Sequence, residues 1–274
     1  MYTVPATSTL VLLFTKPALY DGGAAKRFLG AIDLSAGQGF KSHFKHVWDL
    51  MYAGAATRKL RMKQLGQEFL RKYPSAQVVS LGIGLDPLSI DLAESFPEAS
   101  FFDVDMSHMD LKAEINAAID GPSMHFVSAN LANPAQLQEA LKSQGWHPSE
   151  PTLVMAEGIT YYVPRAIFAQ ALAAVRTDSG ALVLEYSLPD EEIVDPRFRE
   201  AYIAFYPEVT RLIGLPFPME RYSTDYVSQL AEQLGGSIAE TLHEYHVAHD
   251  ASGEYHNFCA SPDDGVIRVA LINF

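Results

Sequence analysis

Two glycines and two aspartates, set about twenty residues apart, carry the most pointed chemistry in this chain. Gly82 and Gly84 stand in Val78-Val79-Ser80-Leu81-Gly82-Ile83-Gly84-Leu85-Asp86-Pro87, and Asp103 and Asp105 in Phe101-Phe102-Asp103-Val104-Asp105. An apolar run of strand length, a glycine turn before a helix, and a second strand ending in acids is an arrangement that holds a nucleoside ligand. The glycines let a ligand approach the backbone, and the acid accepts hydrogen bonds from ribose hydroxyls. A dinucleotide site needs a third glycine where Pro87 stands, so the nicotinamide reading falls behind. Asp86-Pro87 instead predicts a helix N-cap followed by proline at the first helical position.

The elements that must position these residues are legible as alternation. Apolar runs at Val78–Leu81, Ser100–Val104, Met124–Val127, Thr152–Met155 and Ala181–Tyr186 read as strands. Helical spacing appears between them near 87–96, 109–119, 134–143 and 164–176, and ahead of them from about Ser42 to Lys72. This alternation predicts a mostly parallel α/β sheet covered on both faces. It breaks after Tyr186, where 189–222 reads as a lid insertion with a helix start at Asp195-Pro196. A helix near 223–234 follows, then a strand-like run to His249 and a last run, Val266 to Phe274. Two strands without a helix between them predict a closing antiparallel hairpin. The expected organisation is one domain over 1–274: a helical cap at 1–57, a cofactor-binding core at 58–188, the lid at 189–222 and the closing helix and hairpin at 223–274.

Composition narrows the partners. Hydrophobic residues at 48% and charged residues at 19% supply a large core. With 33 acidic against 20 basic side chains the formal charge is −13, which repels phosphate backbones. A small molecule is therefore the expected partner, with neither nucleic acid nor membrane. The run Leu10–Phe14 is too short to span a bilayer and lacks leader flanks, so a cytoplasmic protein is expected. Cys259 is the single cysteine, which removes disulfides and multi-thiolate metal sites from consideration. No metal is expected.

A third segment, Ala156-Glu157-Gly158-Ile159-Thr160-Tyr161-Tyr162-Val163-Pro164, follows the fourth strand run of the core. With Leu81–Asp86 and Asp103–Asp105 it resembles the three signatures of the leucine carboxyl methyltransferase family. That family uses S-adenosylmethionine (SAM) and includes protein C-terminal carboxyl methyltransferases and polyketide-tailoring O-methyltransferases. The resemblance runs from about Ala55 to Pro164. It implies a class I SAM-methyltransferase (Rossmann-like) sheet, mostly parallel with a C-terminal antiparallel hairpin, plus helical lid segments. It also implies SAM as cofactor and S-adenosylhomocysteine (SAH) as product. By the family's pattern Arg58 binds the SAM carboxylate, Gly82 and Gly84 line its methionine portion, and Asp105 binds the ribose. Asn130 and Leu131 fall beside the adenine, and Glu157 near the cofactor. A solvated helix face is the plainer role for Arg58, since Arg61 and Lys63 are close in sequence. The chain departs from the pattern at Asp103 (usually Glu), Asn130 (usually Asp) and Pro87-Leu88 (usually Thr or Ser, then often Arg).

The resemblance implies a SAM-dependent O-methyltransferase acting on a carboxylate or hydroxyl of a small molecule. Methylation of a protein C-terminus is the second reading, and a SAM-binding protein without catalysis the third. A carboxylate acceptor is already ionised, whereas a hydroxyl is helped by a base. The residues do not single one out. His243, His246, His249 and His256 cluster late in the chain, and Tyr161, Tyr162, Tyr202, Tyr206 and Tyr222 are candidates for the acceptor pocket. Arg199, Arg211 and Arg221 are candidates for an acidic acceptor, with solvated surface charge the plainer role.

Overall fold

The structure, a computed structural model, describes residues 1–13, 19–20, 22–243, 259, 261 and 263–274. His246, His249 and His256, and the continuation of the strand-like run to His249, lie outside them.

The central sheet is built from β3 (Gln77–Leu81), β4 (Ser100–Asp105), β5 (His125–Ser128), β6 (Thr152–Ala156), β7 (Ala181–Ser187), β8 (Ser237–His243) and β9 (Ile267–Asn273). Their order is β5-β4-β3-β6-β7-β9-β8, parallel from β5 to β7. β9 runs antiparallel to both β7 and β8, as the two closing apolar runs predict. Every residue of β3, β6 and β7 is buried, which is why those runs are mostly apolar rather than alternating. Val79, Phe102, Val154 and Leu182 pack on one face with Leu137 and Phe168. Val78, Phe101, Leu153 and Val183 pack on the other with Met62, Leu65 and Leu92. A small parallel pair, β1 (Tyr2–Thr3) with β2 (Ile32–Asp33), ties down the N-terminal region.

Helices α1 (Ala6–Leu13), α2 (Gly23–Ala31), α3 (Gln38–His43) and α4 (Trp48–Lys72) precede the sheet. The single helical run expected over 42–72 is thus two helices, broken at Phe44 (φ −96°, ψ 20°). The expected division between residues 57 and 58 falls inside α4, so cap and core share a helix. Between strands lie α5 (Leu88–Ser95), α6 (Met109–Ala118), α7 (Pro134–Ser143) and α8 (Arg165–Val175). α5 begins one residue later than Asp86-Pro87 predicts, with Pro87 itself at the cap position. Asp86 still caps, its Oδ1 accepting from Leu88 N at 2.9 Å.

The segment 189–222 is chiefly α9 (Pro196–Ile213), and α10 (Thr224–Gln233) follows it before β8. α9 starts at Asp195-Pro196 as expected, with Asp195 accepting from Arg197 N at 2.8 Å. Its inner face presents Tyr202, Phe205, Tyr206 and Val209 to the core. No helix among the described residues is long and apolar enough to cross a membrane.

Candidate functional site

The strand order reverses at β3, whose following strand β4 lies on one side and β6 on the other. A crevice at the carboxyl ends of such strands is where α/β sheets bind ligands. Here it holds a cavity of about 540 Å³, lined in part by Arg58, Gly82, Gly84, Asp105, Glu157 and Tyr161, a size suited to a cofactor.

The glycine turn is shaped by contact. Gly82 has φ +64°, and a Cβ there would lie 2.4 Å from Ile159 Cδ1. Gly84 has φ +52° and donates its N–H to Asp105 Oδ2 at 3.0 Å. Asp105 Oδ1 accepts from Ser107 N at 2.9 Å, so the turn after β3 and the end of β4 are pinned to one carboxylate. Gly82→Ala combines left-handed backbone strain with an overlap against Ile159. We expect it to lower stability by about 2 kcal/mol or more and to weaken nucleoside binding, read by thermal unfolding and calorimetry. Ile159→Ala in the same chain should restore only part of the loss, because the strain at φ +64° remains.

Beneath the cavity lies a buried ion network. Arg58 Nε donates to Glu157 Oε1 at 3.2 Å and its Nη1 to Glu185 Oε1 at 3.4 Å. Lys59 Nζ donates to Glu157 Oε1 at 2.8 Å and to Asp86 Oδ2. Glu185 Oε2 accepts from Gly158 N at 2.7 Å, and its Oε1 accepts from the Tyr161 hydroxyl. Burial alone would lower the Lys59 ammonium, but Asp86 and Glu157 outweigh it and hold it above its ordinary value. Burial pushes Glu157 up against the pull of Lys59, while Lys59 overcomes burial at Asp86 and draws it down. Burial, then Glu185, drives the Tyr161 hydroxyl well above its ordinary value, so it is a protonated hydroxyl that faces Glu185.

With all members ionised, two cations face three carboxylates, so the network carries a surplus negative charge. Glu157 Oε2 is buried with no hydrogen-bond partner among the described residues. A buried carboxylate oxygen of this kind is costly unless a ligand satisfies it. The site is therefore built to receive a cationic group at Glu157 and hydroxyl donors at Asp105.

Arg58, Gly82, Gly84, Asp105 and Glu157 meet around one cavity. Asn130 and Leu131 do not line it: Asn130 is exposed, its Oδ1 accepting from Ala132 N at 2.9 Å, and Leu131 packs into the core. The rim beyond Asp105 is Met106, Ser107 and His108. Asp103 faces away, buried against Ser89 Oγ and Lys112 Nζ, each at 2.7 Å. Tyr161 and Tyr162 line the cavity, whereas Tyr222 is buried in the core. Arg211 pairs with Glu208, Arg221 with Asp190, and Arg199 donates to Ile193 O. Lys59 and Glu185 escaped the sequence reading, although a lysine on the buried stripe Ala55-Ala56-Lys59-Met62 and an acid inside a buried strand were visible signals.

Residues 13–176 match the family model described as leucine carboxyl methyltransferase. No curated protein sequence matches the chain. Among solved structures it is similar to the mycolic acid cyclopropane synthase CmaA1 complexed with SAH and CTAB. The identity there is 11% and the TM-score 0.51, over 77% of this chain and 82% of that one. It is also similar to the mitomycin 7-O-methyltransferase MmcR, at 12% identity and TM-score 0.50, over 97% of this chain and 66% of that one. The shared architecture is the class I SAM-methyltransferase fold, mostly parallel with an antiparallel C-terminal hairpin.

Proposed function

The chain belongs to the leucine carboxyl methyltransferase family, and from that membership we propose that its cavity holds SAM and that it methylates an oxygen of a small molecule. The observation that carries this reading is the pairing of the unpartnered Glu157 Oε2 with Asp105 on one cavity. SAM brings an ammonium for the first and ribose hydroxyls for the second, so the residues present fit it. Arg58 retains guanidinium donors beyond its two long bonds to Glu157 and Glu185, and a planar donor fork suits the SAM carboxylate. SAM also carries a net positive charge that the surplus carboxylate of the network attracts.

When bound, SAM supplies a methyl group on a positively charged sulfur. The protein's own task is alignment and the acceptor's proton. Gly82 and Gly84 keep side chains out of the donor's path, and Arg58 and Glu157 fix its amino-acid end. Tyr161 lines both this cavity and the apolar space beside it. Its hydroxyl donates to Glu185, and its oxygen can also accept. An acceptor hydroxyl bonded there would be held by Tyr161, with the Glu185 carboxylate behind it as the base that would receive the proton through that hydroxyl. This favours a hydroxyl over a carboxylate as the reacting group.

Calorimetry with SAM, SAH and NAD tests the donor. The expected result is saturable binding of SAM and SAH, weakened by Glu157→Ala. Binding of NAD alone would overturn the reading.

A further inference from the structure

Three cavities lie in series across the lid. The donor cavity shares Leu10, Val11, Arg58, Tyr161, Tyr162 and Val209 with a small, mostly apolar space of about 60 Å³. That waist in turn shares Tyr206 and Met219 with an outer chamber of about 510 Å³. The outer chamber lies against α9 and the strap after it, walled by Tyr202, Pro207, Leu215, Pro216, Phe217 and Pro218.

The partition between waist and chamber is uneven in stiffness. Tyr206 is fixed: its hydroxyl donates to Ser187 Oγ at 2.7 Å, its ring stacks on Tyr161 with centroids 5.8 Å apart, and the Arg221 guanidinium lies 5.5 Å from its centroid. Met219, unbranched and only partly buried, is the part that can move aside.

The chamber's chemistry selects its occupant. Three of its wall residues are prolines, which have no N–H to offer a peptide backbone. Its two charged side chains, Asp190 and Arg221, are forked onto one another, with Nη2 to Oδ2 at 2.9 Å. Thr210 Oγ1 donates to the Tyr206 carbonyl at 2.8 Å. What remains for a ligand is the flat faces of aromatic and proline rings beside Leu215 and the half-exposed Ile203. Such surfaces favour flat apolar rings.

We propose that the outer chamber is a second acceptor subsite, which takes a flat apolar, ring-containing body while the acceptor's hydroxyl reaches past Tyr206 and Met219 to Tyr161. The proposal rests on the donor reading above. It names the acceptor as a polycyclic or ring-extended hydroxyl compound and disfavours an extended peptide.

The test uses the full chain saturated with SAH, titrated with 7-hydroxyflavone at pH 6 and followed by the probe's fluorescence. Saturable binding is expected, with a dissociation constant at least tenfold lower than that for a pentapeptide with a free C-terminus. Ile203→Trp places bulk in the chamber from an exposed position, so folding is spared. It should weaken the flavone at least tenfold and leave SAH affinity unchanged. Phe217→Ala, which removes a wall, should weaken it about fivefold. No flavone binding to the SAH complex, equal or tighter peptide binding, or flavone affinity unchanged in both variants would overturn the proposal. Failure of SAH itself to bind would instead overturn the donor reading.

Discussion

Asp105→Ala is expected to raise the dissociation constant for SAM about a hundredfold. Hydrogen bonds to a charged partner contribute about 1.5–3 kcal/mol each, and each 1.4 kcal/mol is about a factor of ten in affinity. Losing the two proposed ribose bonds would therefore account for the expected change. The same substitution frees the Gly84 and Ser107 amides that the carboxylate holds, so the turn loses its preorganisation as well. Asp105→Asn keeps one carbonyl oxygen and should lose only about tenfold by the same arithmetic. Stability should fall by about 1 kcal/mol, a few degrees in melting temperature, so weakened binding is separable from unfolding. Calorimetry of both variants beside thermal melts decides the matter. Unchanged SAM affinity in Asp105→Ala would remove the donor from this cavity.

That half of the site was legible because it is local. A buried strand, a turn with two left-handed glycines and an acid at the end of the next strand all fall within one β–α–β unit. The other half is built from residues far apart in the chain. Lys59 meets Glu157 across 98 residues and Arg58 meets Glu185 across 127, and no periodicity encodes such pairs. The adenine side illustrates a further limit. Asn130 follows β5 at the position the family pattern gives, yet its side chain bonds its own turn while Met106 to His108 form the rim.

The fold was legible where burial writes itself into composition. Val78-Val79-Ser80-Leu81 and Ala181–Tyr186 are buried at every position because helices cover both faces, and apart from Ser80 and Glu185 they are apolar or aromatic. The closing hairpin was expected from two runs without a helix between them. That β9 sits inside, between β7 and β8, is a matter of non-local pairing. α3 and α4 read as one helix because Phe44 and Val47 keep helical spacing across the turn that separates them, and both are buried in the same core.

Lys112→Ala should be the most destabilising single change outside the cavity. Lys112 and Asp103 are both fully buried, with Nζ 2.7 Å from Asp103 Oδ2 and 2.5 Å from the Asp86 carbonyl. Removing one partner of such a pair costs about 3–5 kcal/mol, because the other charge stays buried without compensation. For a chain of this size that is roughly 6–15 °C in melting temperature. The loss should depend on pH in a set direction. Burial already pushes the Asp103 carboxyl up, opposed by Lys112, and without the lysine it rises further. A carboxyl raised in the folded state binds its proton more tightly there than in the unfolded chain. Stability is then retained below the unfolded value near 4 and lost as pH climbs toward the folded value. Lys112→Ala should therefore be closer to the parent at pH 5 than at pH 8 in denaturant unfolding. Asp103→Asn combined with Lys112→Met removes both charges and should recover most of the loss at pH 8. An equal loss at both pH values, with no recovery in the double variant, would mean that packing alone supports this corner. Because Lys112 also holds the Asp86 carbonyl, and Asp86 holds Lys59 beneath Glu157, the single variant should weaken SAM binding too. A pair facing away from the cavity thus sets the rigidity of the turn that faces it.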